Sequence, residues 1–410
     1  MSGFEWVDDQ SRFDELCEEL ASEPRYGFDT EFHRERTYRP RLALLQLAWR
    51  DQVAVVDPFE VDVAPLARVL AGDGVAIAHA GDQDLEVLDL ACGRGPRTLF
   101  DTQVVAGFLG FSSPALSRLA HTLLGLSLPK SDRLTDWTRR PLTAAQRDYA
   151  AADVAHLLDL HDALVARLAD LGRLEWAEQE CSEMLARRRQ PMPAEEAWWK
   201  LRDARQLRGR SRGVAQAVAA WRERRASQLD IPPRFVLPDM ALSSIAHRPP
   251  RDREELSAVR GIEGRHLGGG VAEQILAAVE EGQSLGPAEL RLPTEPSLDR
   301  TRRPAVALAA AWVGQLAEDL EIDAGLLATR TDLGLLLSGQ PSRLDSGWRR
   351  RLVGEPVLRL AAGEAALAFD GKGGLLLEIR SRVPADLSGD GAESPGYPRT
   401  AAADGPTDPA

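Results

Sequence analysis

The chain has 410 residues, 44% of them hydrophobic, and a formal net charge of −13 at pH 7. That length predicts two to four domains rather than one core, and that composition predicts a folded, soluble protein. Three scattered cysteines, an acidic N-terminus without an apolar core and no apolar run of about 18 residues argue against a zinc finger, a disulfide framework, a signal peptide and a membrane span, so a cytoplasmic location is expected.

In chain order, the first informative stretch is Phe28-Asp29-Thr30-Glu31-Phe32, in a mostly apolar run that starts at Tyr26. Strand periodicity sets Asp29 and Glu31 on the same face, where two acids repel unless a cation lies between them. Taken alone, such a pair is more often a solvated strand edge. Strands are predicted over Tyr26 to Phe32, Leu42 to Trp49 and Val53 to Asp57 as an antiparallel meander, and over Val75 to His79 after a helical crossover, so the sheet is mixed.

The segment Val75 to Leu88 reads as strand, small-residue turn and acid-rich helix start, which holds a carboxylate at the strand's carboxyl end, where open α/β sheets bind ligands. Asp84 is the candidate there; Asp82 is expected to serve the helix terminus and His79 to be a hydrogen-bonded structural residue. A long helix is predicted from about Thr143 to Leu171. In it Tyr149 and Asp153 lie one turn apart on one face, separated by three alanines that permit close approach to another element.

Together these segments resemble the ribonuclease D family of Asp-Glu-Asp-Asp exonucleases. Asp29 and Glu31 match the first motif, Asp84 in His79-Ala80-Gly81-Asp82-Gln83-Asp84-Leu85-Glu86 the second, and Tyr149 with Asp153 the third in its tyrosine form. Gln46, Phe100-Asp101-Thr102-Gln103, Asp136-Trp137 and Arg140-Pro141-Leu142-Thr143 agree with the same family. The resemblance implies a ribonuclease H-like α/β domain and metal-dependent 3′–5′ hydrolysis of RNA to nucleoside 5′-monophosphates, with transfer RNA precursors as the implied substrate.

It also implies the roles. Asp29, Glu31 and Asp153 would hold the metal that carries the attacking water, and Asp29 with Asp84 the metal at the leaving group; two metals about 3.5–4 Å apart serve both ends of an in-line displacement. Oxygen-only ligands favour Mg²⁺ or Mn²⁺. A tyrosine hydroxyl, with an ordinary pKa of about 10, is a poor base at pH 7, so Tyr149 is expected to orient the water. A 3′–5′ DNA exonuclease and a noncatalytic RNA-binding platform are the alternatives; clustered carboxylates give the latter no advantage in binding phosphates.

The charge is uneven: residues 1–200 carry −12, residues 201–260 carry +6 and residues 261–410 carry −7. The basic segment includes Arg202, Arg205, Arg208, Arg210 and Arg212, then Arg222, Arg224 and Arg225. Helical periodicity through Trp198, Leu207, Val214 and Trp221 predicts arginines on outer faces, where they would bind nucleic acid. From about Ala194 to Gly282 the text resembles the HRDC module, notably Ala219-Ala220-Trp221-Arg222 and Asp230-Ile231-Pro232-Pro233. No Gly-x-x-x-x-Gly-Lys-Ser/Thr loop occurs, which excludes an ATP-driven helicase.

The expected organisation is an exonuclease domain over 1–190, an HRDC domain over 194–282, a proline-rich linker over 284–304, a second, HRDC-like helical domain over 305–382 and a disordered tail over 383–410. Deleting residues 194–410 is expected to weaken binding of structured RNA more than cleavage of a short strand.

Overall fold

The computed structural model describes residues 3–129, 136–187, 192–292 and 300–380. The expected tail over 383–410 and the centre of the expected linker lie outside these residues. Six strands form one mixed sheet: β1 (Glu5–Val7), β2 (Arg25–His33), β3 (Arg41–Trp49), β4 (Gln52–Val56), β5 (Val75–Ala78) and β6 (Leu99–Asp101), in the order β1-β4-β3-β2-β5-β6. The β2–β3–β4 meander is antiparallel, whereas β1 joins β4, β5 joins β2 and β6 joins β5 in parallel. The mixed sheet follows from the sequence; the three-residue strands β1 and β6 do not, because alternation needs about four residues to register.

Strand β2 lies inside the sheet, buried on both faces. On one face Phe28, Leu45, Leu47 and Trp49 pack with Phe13 and Leu16 of the helix Gln10–Ala21 and Val87 and Leu88 of the helix Asp82–Cys92. On the other, Leu44 and Val55 meet Ala150 and Ala151, and Ala48 and Ile77 meet Leu157, Leu160 and Leu164. The helix expected over Thr143 to Leu171 is in fact two, Ala144–Val154 and Leu157–Asp170. The first begins in a capping box between Thr143 and Gln146, and the turn between them comes at His156, whose φ of −118° and ψ of 12° leave the helical region. That break lets Leu157 press on β2 at Gly27, where a Cβ would lie 3.3 Å from the Leu157 side chain.

Residues 197–279 enclose a separate helical core that includes Trp198, Leu207, Val214, Val218, Leu242, Ile245 and Val279. Residues 300–380 do not enclose one of their own. Val306, Trp312, Trp348 and Val357 share a core with Phe100, Phe108, Leu160 and Leu164 beneath the nuclease sheet. Trp348 stacks on Trp176 at 5.3 Å between ring centroids and meets Phe108 edge-on at 5.3 Å, while buried Arg349 pairs with buried Glu180 and donates to the Leu326 carbonyl at 2.8 Å. Deletion from residue 194 would therefore open the nuclease core, and its effects would report folding as well as RNA binding.

The helical expectation for 305–382 holds as far as Ala361 and then gives way to a hairpin, β7 (Ala365–Phe369) and β8 (Leu375–Ile379). The glycine-rich turn between them, Asp370-Gly371-Lys372-Gly373-Gly374, is the signal that a helical reading passes over.

Trp348→Ala should cost about 3–5 kcal/mol, as for other buried aromatic truncations. In urea unfolding, nuclease activity and the far-ultraviolet signal should be lost together at a lower midpoint. A nuclease half that unfolds at the wild-type midpoint would contradict the shared core.

Candidate metal centre

Asp29 and Glu31 project from β2 toward the face covered by the helix Ala144–Val154, and Asp153 reaches them from the last turn of that helix. One carboxylate oxygen from each of the three lies within 4.8 Å of the others. Asp84 stands outside that trio but lines the same cleft of about 330 Å³, together with His79, Gln83, Leu116 and Tyr149. All five residues expected at the site, Asp29, Glu31, Asp84, Tyr149 and Asp153, are thus brought together.

The scaffold that fixes them is more extensive than the motifs. Asp84 is held by Thr30, whose backbone N–H donates to Oδ1 at 3.1 Å and whose hydroxyl donates to the same oxygen, so β2 positions the fourth acid as well as the first two. The turn before Asp84 is held by fully buried Asp101, which accepts from the N–H groups of Ala80 at 3.1 Å and Gly81 at 2.8 Å, and from Gln103 and Val104. That turn is tight: Ala80 has a φ of +58°, and a Cβ on Gly81 would lie 2.8 Å from the Ala78 methyl.

The Tyr149 hydroxyl hydrogen-bonds the Asp153 carboxylate, and its ring stacks on Trp137 with centroids 6.2 Å apart. Arg140 anchors the Trp137 segment by a fork onto Asp57, at 2.5 and 2.8 Å, and by donating to the Ala43 carbonyl. Gln46 sits opposite Asp29 in the strand register, fully buried, with both amide atoms unpartnered. His79 is bonded to Thr102 at 2.9 Å and to the Pro114 carbonyl at 3.0 Å, the structural role expected of it.

The electrostatics follow from burial and crowding. Burial, then Asp84, Asp153 and Glu31, hold the Asp29 carboxyl well above the ordinary range. Burial, then Asp153 and Asp84, push Glu31 up to about 8. Burial raises Asp153 to about 6 against the Tyr149 bond, and raises Asp84 against its bonds from Thr30. Near pH 7 the acids cannot all be charged unless a cation compensates them. Four carboxylates around one cleft, with both nitrogens of the neighbouring His79 committed to Thr102 and Pro114, fit a hard divalent ion.

Comparison with known proteins agrees with this geometry. Residues 4–169 match a 3′-5′ exonuclease family model and residues 211–279 match the HRDC domain. The chain is 37% identical to the ribonuclease D of Acidiphilium cryptum, over 87% of this chain and 93% of that protein, and 38% identical to that of Granulibacter bethesdensis, over 87% and 92%. The chain belongs to the ribonuclease D family.

The crystal structure of Escherichia coli RNase D, described as an exoribonuclease involved in structured RNA processing, superposes with a TM-score of 0.78 at 33% identity, over 87% of this chain and 98% of that one. As a member of that family, this chain is a 3′–5′ exoribonuclease whose nuclease domain works with divalent metal. Among the described residues no helix is long and apolar enough to cross a membrane.

Sequence reasoning did not assign roles to Thr30, Asp101, Trp137 or Arg140; Asp101, Trp137 and Arg140 stand in matched family text, and Thr30 lies between two motif acids. The expected basic face is only partly present. Arg202, Arg205, Arg208 and Arg210 are exposed and Arg212 is half-buried, with the Arg208 and Arg212 guanidinium groups both donating to the Leu207 carbonyl. Arg222 is not on an outer face: it is 4% exposed, paired with Asp239 at 2.6 Å and bonded to the Leu237 carbonyl.

The raised acids also set a pH dependence. Glu31 at about 8 and Asp153 at about 6 lie above unfolded values of about 4.3 and 3.9, so their protonated forms stabilise the folded state. That contribution is complete below about pH 4 and is lost as pH rises through 6 and 8. Metal-free protein should melt progressively earlier from pH 5 to 8.5, Glu31→Gln should lessen the fall, and Mg²⁺ should reverse it at pH 8. A melting temperature that does not change with pH or metal would contradict the cluster.

Proposed function

We propose that this exoribonuclease trims the 3′ ends of transfer RNA precursors and other structured RNAs, with Asp29, Glu31, Asp84, Tyr149 and Asp153 as its catalytic residues and Mg²⁺ or Mn²⁺ as its metal. The observation that carries the site assignment is the Tyr149 hydroxyl on the Asp153 carboxylate, beside the Asp29–Glu31 pair in one cleft. A structural tyrosine would gain nothing from facing a half-buried cluster of acids.

Asp29, Glu31 and Asp153 would hold one ion and Asp29 with Asp84 a second. Bound there, the metal supplies Lewis acidity, lowering the pKa of water and neutralising charge on the departing 3′-oxygen. The chain's residues do the rest. With its proton committed to Asp153, the Tyr149 oxygen has lone pairs free to accept from the attacking water and aim it at phosphorus. Trp137 keeps the phenol in that orientation. Thr30 fixes Asp84 directly and Asp101 fixes the turn before it, so the fourth acid keeps its place beside the other three.

Without a compensating cation the acidic cleft would repel phosphate. Arg202, Arg205, Arg208, Arg210 and Arg212 would bind the body of the substrate through its phosphates, independently of sequence.

Tyr149→Phe keeps the ring stack but loses the hydroxyl and should lower kcat by roughly a hundredfold. Asp29→Asn weakens a ligand common to both metal positions and should cost at least about ten times more. Equal losses in single-turnover hydrolysis of a short RNA would overturn these roles.

A further inference from the structure

The loop that leaves the catalytic strand is held by the HRDC module. Its near end starts two residues beyond Phe32, which lines the cleft, and is tied down by Arg34 on Glu86 at 2.6 Å, two residues along the helix from Asp84. Its far end is gripped from the helix Arg210–Leu229. Asp230, in the left-handed region with φ of 48°, accepts at Oδ1 from the Tyr38 N–H at 3.1 Å and from the Arg39 N–H at 3.4 Å. Buried Glu223 on the same helix accepts from the Tyr38 hydroxyl at 3.0 Å, and Arg234 donates to the Glu35 carbonyl at 3.3 Å.

Arg36 stands between these anchors and the Arg39 side chain leaves the far one, both exposed. Among the described residues neither guanidinium makes an ion pair, although acids outnumber bases in the chain. Unpaired arginines on a loop fixed at both ends suit an anionic ligand, since the ordering entropy of the loop is already spent.

Resting on the exoribonuclease reading, we propose that residues 34–40 form a substrate clasp. The HRDC module holds this loop through Asp230 and Glu223 so that Arg36 and Arg39 meet phosphates of single-stranded RNA upstream of the nucleotide being removed. The module then acts on the active site by shaping this loop, besides any RNA it binds with its own arginines.

The sign of one substitution separates this role from bulk electrostatics. Removing the Asp230 carboxylate makes the loop more positive, and charge alone would tighten RNA binding; loss of the clasp weakens it. Asp230→Gly keeps the left-handed backbone and loses the acceptor, whereas Asp230→Asn keeps both an acceptor and the backbone preference.

The test uses the full chain with Mg²⁺ and a fluorescent ten-nucleotide RNA whose 3′-terminal linkage is a phosphorothioate, binding being read by anisotropy across a salt series. Hydrolysis of an ordinary dinucleotide, run beside it, tests the exonuclease reading separately. Arg36→Ala with Arg39→Ala should weaken binding by about tenfold at low salt and flatten the salt dependence by roughly 0.7 per lost phosphate contact. Asp230→Gly should weaken binding at least threefold, whereas Asp230→Asn, which keeps the acceptor and loses the charge, should bind at least as tightly as the wild type. Tighter binding by Asp230→Gly, or an unchanged salt slope in the double arginine variant, would overturn the clasp. Because Arg36 and Arg39 are exposed, the double variant remains informative even if Asp230→Gly folds poorly.

Discussion

The structure depends on holding mutually repelling carboxylates together in a half-buried cleft. Each charge in such a group costs desolvation and Coulomb energy, and the raised proton affinities of Asp29, Glu31, Asp84 and Asp153 are the measure of that cost. An isolated hairpin carrying Asp29 and Glu31 would relieve the strain by turning the acids to solvent. Here it cannot, because β2 is an inner strand with neighbours on both edges and helices on both faces.

The rest of the nuclease domain supports that arrangement. Thr30 points to the opposite face from its two acidic neighbours and catches Asp84, so three consecutive residues of one strand organise three of the four acids. Asp101 ends β6 and gathers four N–H groups that would otherwise be unpaired at the neighbouring turn and helix start. The C-terminal region over 300–380, which encloses no core of its own, closes the hydrophobic layer under the helices carrying Asp153 and Leu157. Trp348 and the buried Arg349–Glu180 pair make it part of the catalytic body.

The site was legible because its residues obey short periods. Alternation along β2 places Asp29 with Glu31, and a four-residue helical spacing places Tyr149 with Asp153; neither depends on the distant fold. Asp84 needed only a strand, a turn and a helix start. What was not legible depends on tertiary contacts. The break at His156 has no proline or glycine to mark it and follows from packing Leu157 on Gly27. Arg222 reads as one more surface arginine until Asp239 and the Leu237 carbonyl are beside it, and the merging of residues 306–357 with the nuclease core leaves no trace in periodicity.

The two helical additions thus have different relations to the catalytic body. The HRDC module keeps its own core and touches the loop leaving β2, whereas the C-terminal region completes the nuclease core. The central claim, that the clustered acids form a metal-dependent exonuclease centre, is tested most directly with 5′-labelled single-stranded RNA, Mg²⁺ and the Asp84→Asn variant beside the natural chain. The account predicts a ladder shortening one nucleotide at a time from the 3′ end, absent in the variant and with EDTA. Undiminished shortening by Asp84→Asn, or in EDTA, would contradict it.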